Sequence, residues 1–125
     1  MDLTIWHNPR CTKSRQTLAL LDERGLTPKI RLYLQDQPNE AEIRTALKAL
    51  GLPAQKLLRR GEAPYKALAL ASADEAAVIA AMAAHPILIE RPVVFLGTKA
   101  AIGRPPENVL DVQVEVESTL LETIC

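Results

Sequence analysis

The chain has 125 residues, of which 15 are basic, 15 acidic, 48% apolar and two cysteine. That length and composition fit one globular domain with a real core, and the cancelling charge excludes a polyanion coat, so any positive site must be local. No apolar run approaches the ~18 residues of a membrane span, and the opening "MDLTIW" lacks an export signal's charged and apolar regions; a cytoplasmic protein with no membrane or nucleic-acid partner is therefore expected.

"LTIW", Leu3 to Trp6, predicts a short buried strand stopped by the turn-forming Asn8–Pro9. The spacing of Leu18 and Leu21 predicts a helix from Thr12 to Arg24, closed by Gly25 with Pro28 beyond. In "KIRLYL", Ile30, Leu32 and Leu34 alternate with Arg31 and Tyr33, which predicts a second strand and a right-handed βαβ unit. Trp6 and Tyr33 are expected in the core or on a strand face.

A helical stretch follows over about 39–84. Asn39 and Glu42 form a capping box ahead of the apolar face Ile43, Ala46, Leu47 and Leu50, which ends at Gly51. "PAQKLLRRG" predicts a short helix between Pro53 and Gly61, and "PYKALAL" a further helical turn. Ser72 and Glu75 make a second expected capping box, before Val78, Ile79 and Met82, and His85 is expected at that helix's end. With no Ser/Gly linker, residues 1–125 are expected to form one domain with a helical insertion.

The last third predicts a hairpin, Val93 to Leu96 and Lys99 to Ile102, turning at Gly97. "RPPENVL" predicts a short proline-opened helix, and the tail 112–125 an edge strand or a loosely held end. The order β-α-β, helices, β-β-α places this chain in the α/β class on the thioredoxin-like plan, with a mixed sheet.

In "HNPRCTKSR", Cys11 falls at the start of the first helix among Arg10, Lys13 and Arg15. A free thiol ionises near pH ~8.5, and a helix N-terminus with adjacent cations lowers that value. The same N–H groups suit an oxyanion, so one place offers a nucleophile and an anion cradle. The competing expectation is a small buried packing residue. Ser14 stands where a Cys-x-x-Cys pair would have its second thiol; its hydroxyl could serve the thiolate, serve a bound oxyanion, or cap the first helical turn. Asn8 is expected to stabilise the turn. His7 could help keep the thiol ionised or simply bond to the turn, and neither His7 nor His85 has the spacing of a metal-ligand pair.

"HNPRCTKSR" resembles the His-Asn-Pro-x-Cys-x-x-Ser-Arg signature of the glutaredoxin-linked arsenate reductase family. "LLRRGEAPYKAL", "HPILIERPVV" and "IGRPPENVL" resemble that family's later blocks in the same order, over roughly residues 3 to 112. The resemblance implies that Cys11 attacks arsenate, with Arg59, Arg91 and Arg104 holding the oxyanion. Arg60 stays open as the alternative to Arg59, and each arginine could instead lie on the surface, Arg104 paired with Glu107. It further implies a cis-proline at Pro92, no metal or tightly bound cofactor, glutathione as co-substrate and glutaredoxin as partner. Cys125 is expected to be an inert tail residue, the alternative being an internal resolving thiol. Two other functions stay open: a related monothiol enzyme for glutathione mixed disulfides or another oxyanion, and a redox regulator binding RNA polymerase, against which the missing second thiol counts.

Overall fold

The structure, a computed structural model, describes residues 3–110. The described residues divide into two compact units, one made of residues 3–31 and 91–110 and one running from Leu32 to Glu90.

The first unit holds β1 (Leu3–Trp6), α1 (Thr12–Glu23), β2 (Lys29–Arg31), β3 (Val93–Leu96) and β4 (Lys99–Ile102). The strands form one mixed sheet in the order β2-β1-β3-β4, with β1 parallel to β2 and the other two pairs antiparallel. This is the thioredoxin-like arrangement. Ile5 pairs with Ile30 on one side and Val94 on the other. Ile5, Leu21, Val94 and Val109 make the core, with Leu3, Leu18, Leu26 and Ala101 packed around them; each such side chain contributes about 1.5–3 kcal/mol when fully buried. Helix α1 stops where expected: Gly25 has φ +74°, and the Leu26 N–H reaches back to the Leu21 carbonyl at 3.0 Å, a Schellman-type end. The β3–β4 hairpin turns at Gly97, φ +60°.

The second strand is shorter than its alternation predicts. β1 ends at Trp6, and the last bond it can offer is from the His7 N–H to the Arg31 carbonyl at 2.9 Å. Among the described residues no strand pairs with the chain beyond Arg31, and the Leu32 carbonyl accepts from Gln35 and Asp36 in a turn. Of the two alternating sets, Ile30 is 52% exposed, whereas Tyr33 is fully buried.

The second unit is helical: α2 (Glu40–Leu50), α3 (Ala54–Leu57), α4 (Ala63–Ala67) and α5 (Glu75–Ala84). The Asn39–Glu42 capping box is formed, and α2 ends at Gly51 with φ +67°. Its buried face, Ile43, Ala46 and Leu47, packs against α5, which buries Val78, Ile79, Ala81 and Met82. Two local expectations are corrected. Asp74, not Ser72, caps α5, accepting from the Ala77 N–H at 2.8 Å, while the Glu75 carboxylate accepts from the Ala54 N–H at 2.9 Å and so pins the start of α3. The helix expected to reach Gly61 stops at Leu57, because Leu58 turns extended and bridges antiparallel to Ile89. His85 does end α5, its N–H bonded to the Ala81 carbonyl. Among the described residues no helix is long and apolar enough to cross a membrane.

Candidate active site

The site begins where β1 is forced to stop. Pro9 has no N–H to continue a ladder, and the Asn8 side chain folds the loop by accepting from the Arg10 N–H at 3.0 Å. The Asn8 carbonyl accepts from Cys11 N–H, and Cys11 then takes the N-cap position of α1 in extended backbone, φ −92° and ψ 123°. A side chain at an N-cap faces the unpaired N–H groups of the first turn. No capping bond closes from the neutral thiol, but the N–H groups of Ser14 and Lys13 lie where they favour a thiolate.

Two polar side chains on the inner face of α1, Ser14 and Thr17, are fully buried. The Ser14 hydroxyl accepts from the Asn8 N–H at 3.0 Å and lies 2.6 Å from His7 Nδ1. Its side chain therefore ties the loop to the helix rather than touching the sulfur or capping the first turn. His7 serves that tie. Burial, and then the charge of Arg15, hold its pKa below the ordinary histidine value, so the imidazole is neutral at pH 7. Arg15 folds back on the loop, donating to the Pro9 carbonyl at 2.8 Å and the Thr12 hydroxyl at 3.3 Å.

The cations that act on Cys11 come from the far end of the sequence. Partial burial pushes the thiol up, but the Ser14 N–H, the Arg91 guanidinium through a hydrogen bond and its charge, and the Lys13 N–H together hold it below its ordinary value. Arg104 places Nη2 3.7 Å from Cys11 Sγ and anchors its own Nε on the Arg91 carbonyl at 2.9 Å. Of the flanking Arg10, Lys13 and Arg15, all three are exposed, and it is the Lys13 backbone N–H that favours the thiolate.

Arg91–Pro92 is a cis peptide, as the resemblance implied, and Arg104–Pro105 is a second, unforeseen one. Gly103 was also missed. A Cβ there would lie 2.5 Å from Thr17 Oγ1 and 2.8 Å from Pro92 Cγ, so only glycine lets the chain pass between α1 and Pro92. The visible signal was a glycine directly before an Arg-Pro pair.

Arg59 belongs to the helical unit. Its N–H donates to the Leu88 carbonyl at 2.7 Å, and its guanidinium lies 3.3 Å from Glu62 and 3.8 Å from Glu90. Arg60 is exposed. Cys125 and the tail 112–125 lie outside the described residues.

A thiolate at a helix N-terminus, met by two guanidiniums, can act as a nucleophile toward an anionic centre whose charge those groups offset. The sequence profile of the ArsC family matches residues 6–112. The chain is 50% identical over 111 residues to the uncharacterized protein YfgD of Escherichia coli K12, covering 86% of this chain and 93% of that one. It is 45% identical over 115 residues to an arsenate reductase of Haemophilus influenzae, covering 90% and 99% respectively. Among solved structures, an arsenate reductase from Vibrio cholerae superposes with a TM-score of 0.86 at 44% identity, covering 89% of this chain and 97% of that one.

Proposed function

This chain belongs to the ArsC family, and from that premise we propose that it reduces arsenate to arsenite through the Cys11 thiolate, with glutathione and glutaredoxin as electron donors in a reducing compartment such as the cytoplasm. The observation that carries this reading is the meeting of Cys11 Sγ with the guanidiniums of Arg91 and Arg104. Guanidinium stays charged at neutral pH and presents paired donors that fit an oxyanion.

In the first step the thiolate attacks arsenic, the As–S bond forms, and one arsenate oxygen leaves as water with a proton from solvent. Arsenic is still pentavalent. A second thiol, from glutathione, then attacks the Cys11 sulfur. The As–S bond breaks with its electron pair going to arsenic, which leaves as arsenite, while the two sulfurs are oxidised to a mixed disulfide. A further thiol, from glutaredoxin, exchanges with that disulfide and returns Cys11 to the reduced state. Ser14 at the third position after Cys11 makes an outside thiol the natural second partner. Arg91 and Arg104 hold the oxyanion during the attack, and Arg59 is the third arginine of the family pattern. His7, Asn8, Ser14, Arg15 and Pro92 shape the loop around the sulfur.

The test is arsenate-dependent NADPH consumption coupled through glutaredoxin and glutathione reductase. Wild type should turn over, and Cys11→Ser should fall to background. Equal rates for the two proteins, or no consumption with wild type, would overturn the proposal.

A further inference from the structure

Helix α1 carries a second buried hydroxyl, one turn below the sulfur. Thr17 is fully buried, and its Oγ1 donates to the Lys13 carbonyl at 2.8 Å. That carbonyl is the far end of the peptide unit whose N–H belongs to Ser14. Against the burial that pushes the Cys11 thiol up, the Ser14 N–H is the leading influence that holds it down. A proton donated to a peptide oxygen draws electron density from the nitrogen and makes the N–H across the bond a stronger donor. Linked hydrogen bonds reinforce one another in this way by about 10–30% per bond, most where water is excluded.

A threonine hydroxyl bonded to the carbonyl four residues back is common in helices, so the placement has to carry the argument. Helix α2 repeats it with a neutral acceptor. Thr45 Oγ1 donates to the Ala41 carbonyl at 3.0 Å, and the N–H across that peptide, on Glu42, donates to Asn39 Oδ1 at 2.8 Å. Asn39 is the N-cap of α2 as Cys11 is of α1. In both helices the donating N–H lies three residues beyond the cap and the hydroxyl six. The two differ in surroundings: Thr45 is exposed, whereas Thr17 is sealed from solvent, with its Oγ1 against Gly103.

We propose that Thr17 is a positioning residue for Cys11: its hydroxyl, donated to the Lys13 carbonyl, holds and polarises the Ser14 N–H so that the first turn of α1 favours the charged sulfur. The proposal deepens the reading of Cys11 as the reacting thiolate and rests on it, but its measurements need no arsenate. Arg91 and Arg104 face the same sulfur, and His7 lies 2.6 Å from Ser14 Oγ. Replacing Thr17 by a neutral residue alters none of these charges.

The experiment follows iodoacetamide alkylation of Cys11 against pH in the full-length chain, by peptide mass, for Thr17→Val, Thr17→Ala, Thr17→Ser and Thr45→Ala. Valine keeps the branched shape without the hydroxyl, alanine removes the hydroxyl without crowding Gly103, and serine keeps the hydroxyl. The alkylation midpoint should rise by about 0.3 pH unit in Thr17→Val and Thr17→Ala, the size of a 10–30% weakening of one charge-assisted bond. It should stay at the wild-type value in Thr17→Ser and Thr45→Ala. The Lys13 carbonyl ¹³C resonance, which loses a hydrogen bond, should move upfield in the first two variants and hold in Thr17→Ser. A midpoint unmoved in Thr17→Val and Thr17→Ala, even with a lower melting temperature, overturns the proposal, because Thr17 then serves packing alone. An equal rise in Thr17→Ser overturns it as well. The two readings fail separately: a wild type that leaves arsenate unreduced removes the proposed function, whereas these midpoints stand or fall on the sulfur alone.

Discussion

At the scale of single residues, Cys11 is governed by groups that act on its ionised form. Arg91 contributes charge and a hydrogen bond, and Arg104 is aimed at the sulfur by its hold on the Arg91 carbonyl. Removing one preorganised donor to a developing oxyanion typically costs about 10²–10³ in kcat. Arg91→Gln and Arg104→Gln are each expected to lower kcat/KM for arsenate by about 10²-fold in steady-state assays. His7 acts one layer further in, and its effect is on stability. Its folded pKa lies below the unfolded value of 6.5, so on acidification the unfolded chain takes up a proton that the folded one resists. Stability should be unaffected by this group above pH 6.5 and should decline as pH falls below it. Thermal melts of His7→Gln, which keeps a hydrogen-bonding side chain near Ser14, should show a flatter acid limb than wild type.

At the scale of elements, the site depends on how closely α1 approaches Pro92. Gly103→Ala would drive a methyl against Thr17 Oγ1 and the Pro92 ring, overpacking that typically costs about 1–3 kcal/mol. Its melting temperature should drop, and adding Thr17→Ala, which removes the closest atom, should restore part of it. In the helical unit, Asp74→Ala should cost about 1 kcal/mol as a lost N-cap, whereas Ser72→Ala should change little. What the sequence revealed here follows locality. The Asn39 box, the Gly25 and Gly51 helix ends and the Gly97 turn are each decided within a few residues, and each was legible. The length of β2 is set by where β1 ends, and the end of α3 by a bridge from Leu58 to Ile89, so neither could be found in its own segment. Ser72 misled because Ser72–Glu75 has capping-box spacing, while Asp74 is one residue ahead of the helix it caps.

At the scale of the whole molecule, a chain with 15 charges of each sign makes a cationic site by bringing distant residues together. Arg104 stands 93 positions from Cys11. The flanking cations are visible beside Cys11 in the sequence, whereas Arg91 and Arg104, which the fold sets against the sulfur, were pointed to only by the ordered blocks of the family resemblance. Gly103 escaped both routes, since its role is to lack a side chain at a contact between separate segments. Because the groups that acidify Cys11 are assembled by folding, unfolding must disperse them. The direct measurement is the pH dependence of iodoacetamide alkylation at Cys11, followed by peptide mass so that Cys125 is resolved separately, in native buffer and in urea. The native midpoint should lie below that of the urea-unfolded chain, and Arg91→Gln should move it upward. A native midpoint equal to or above the unfolded one would contradict the account.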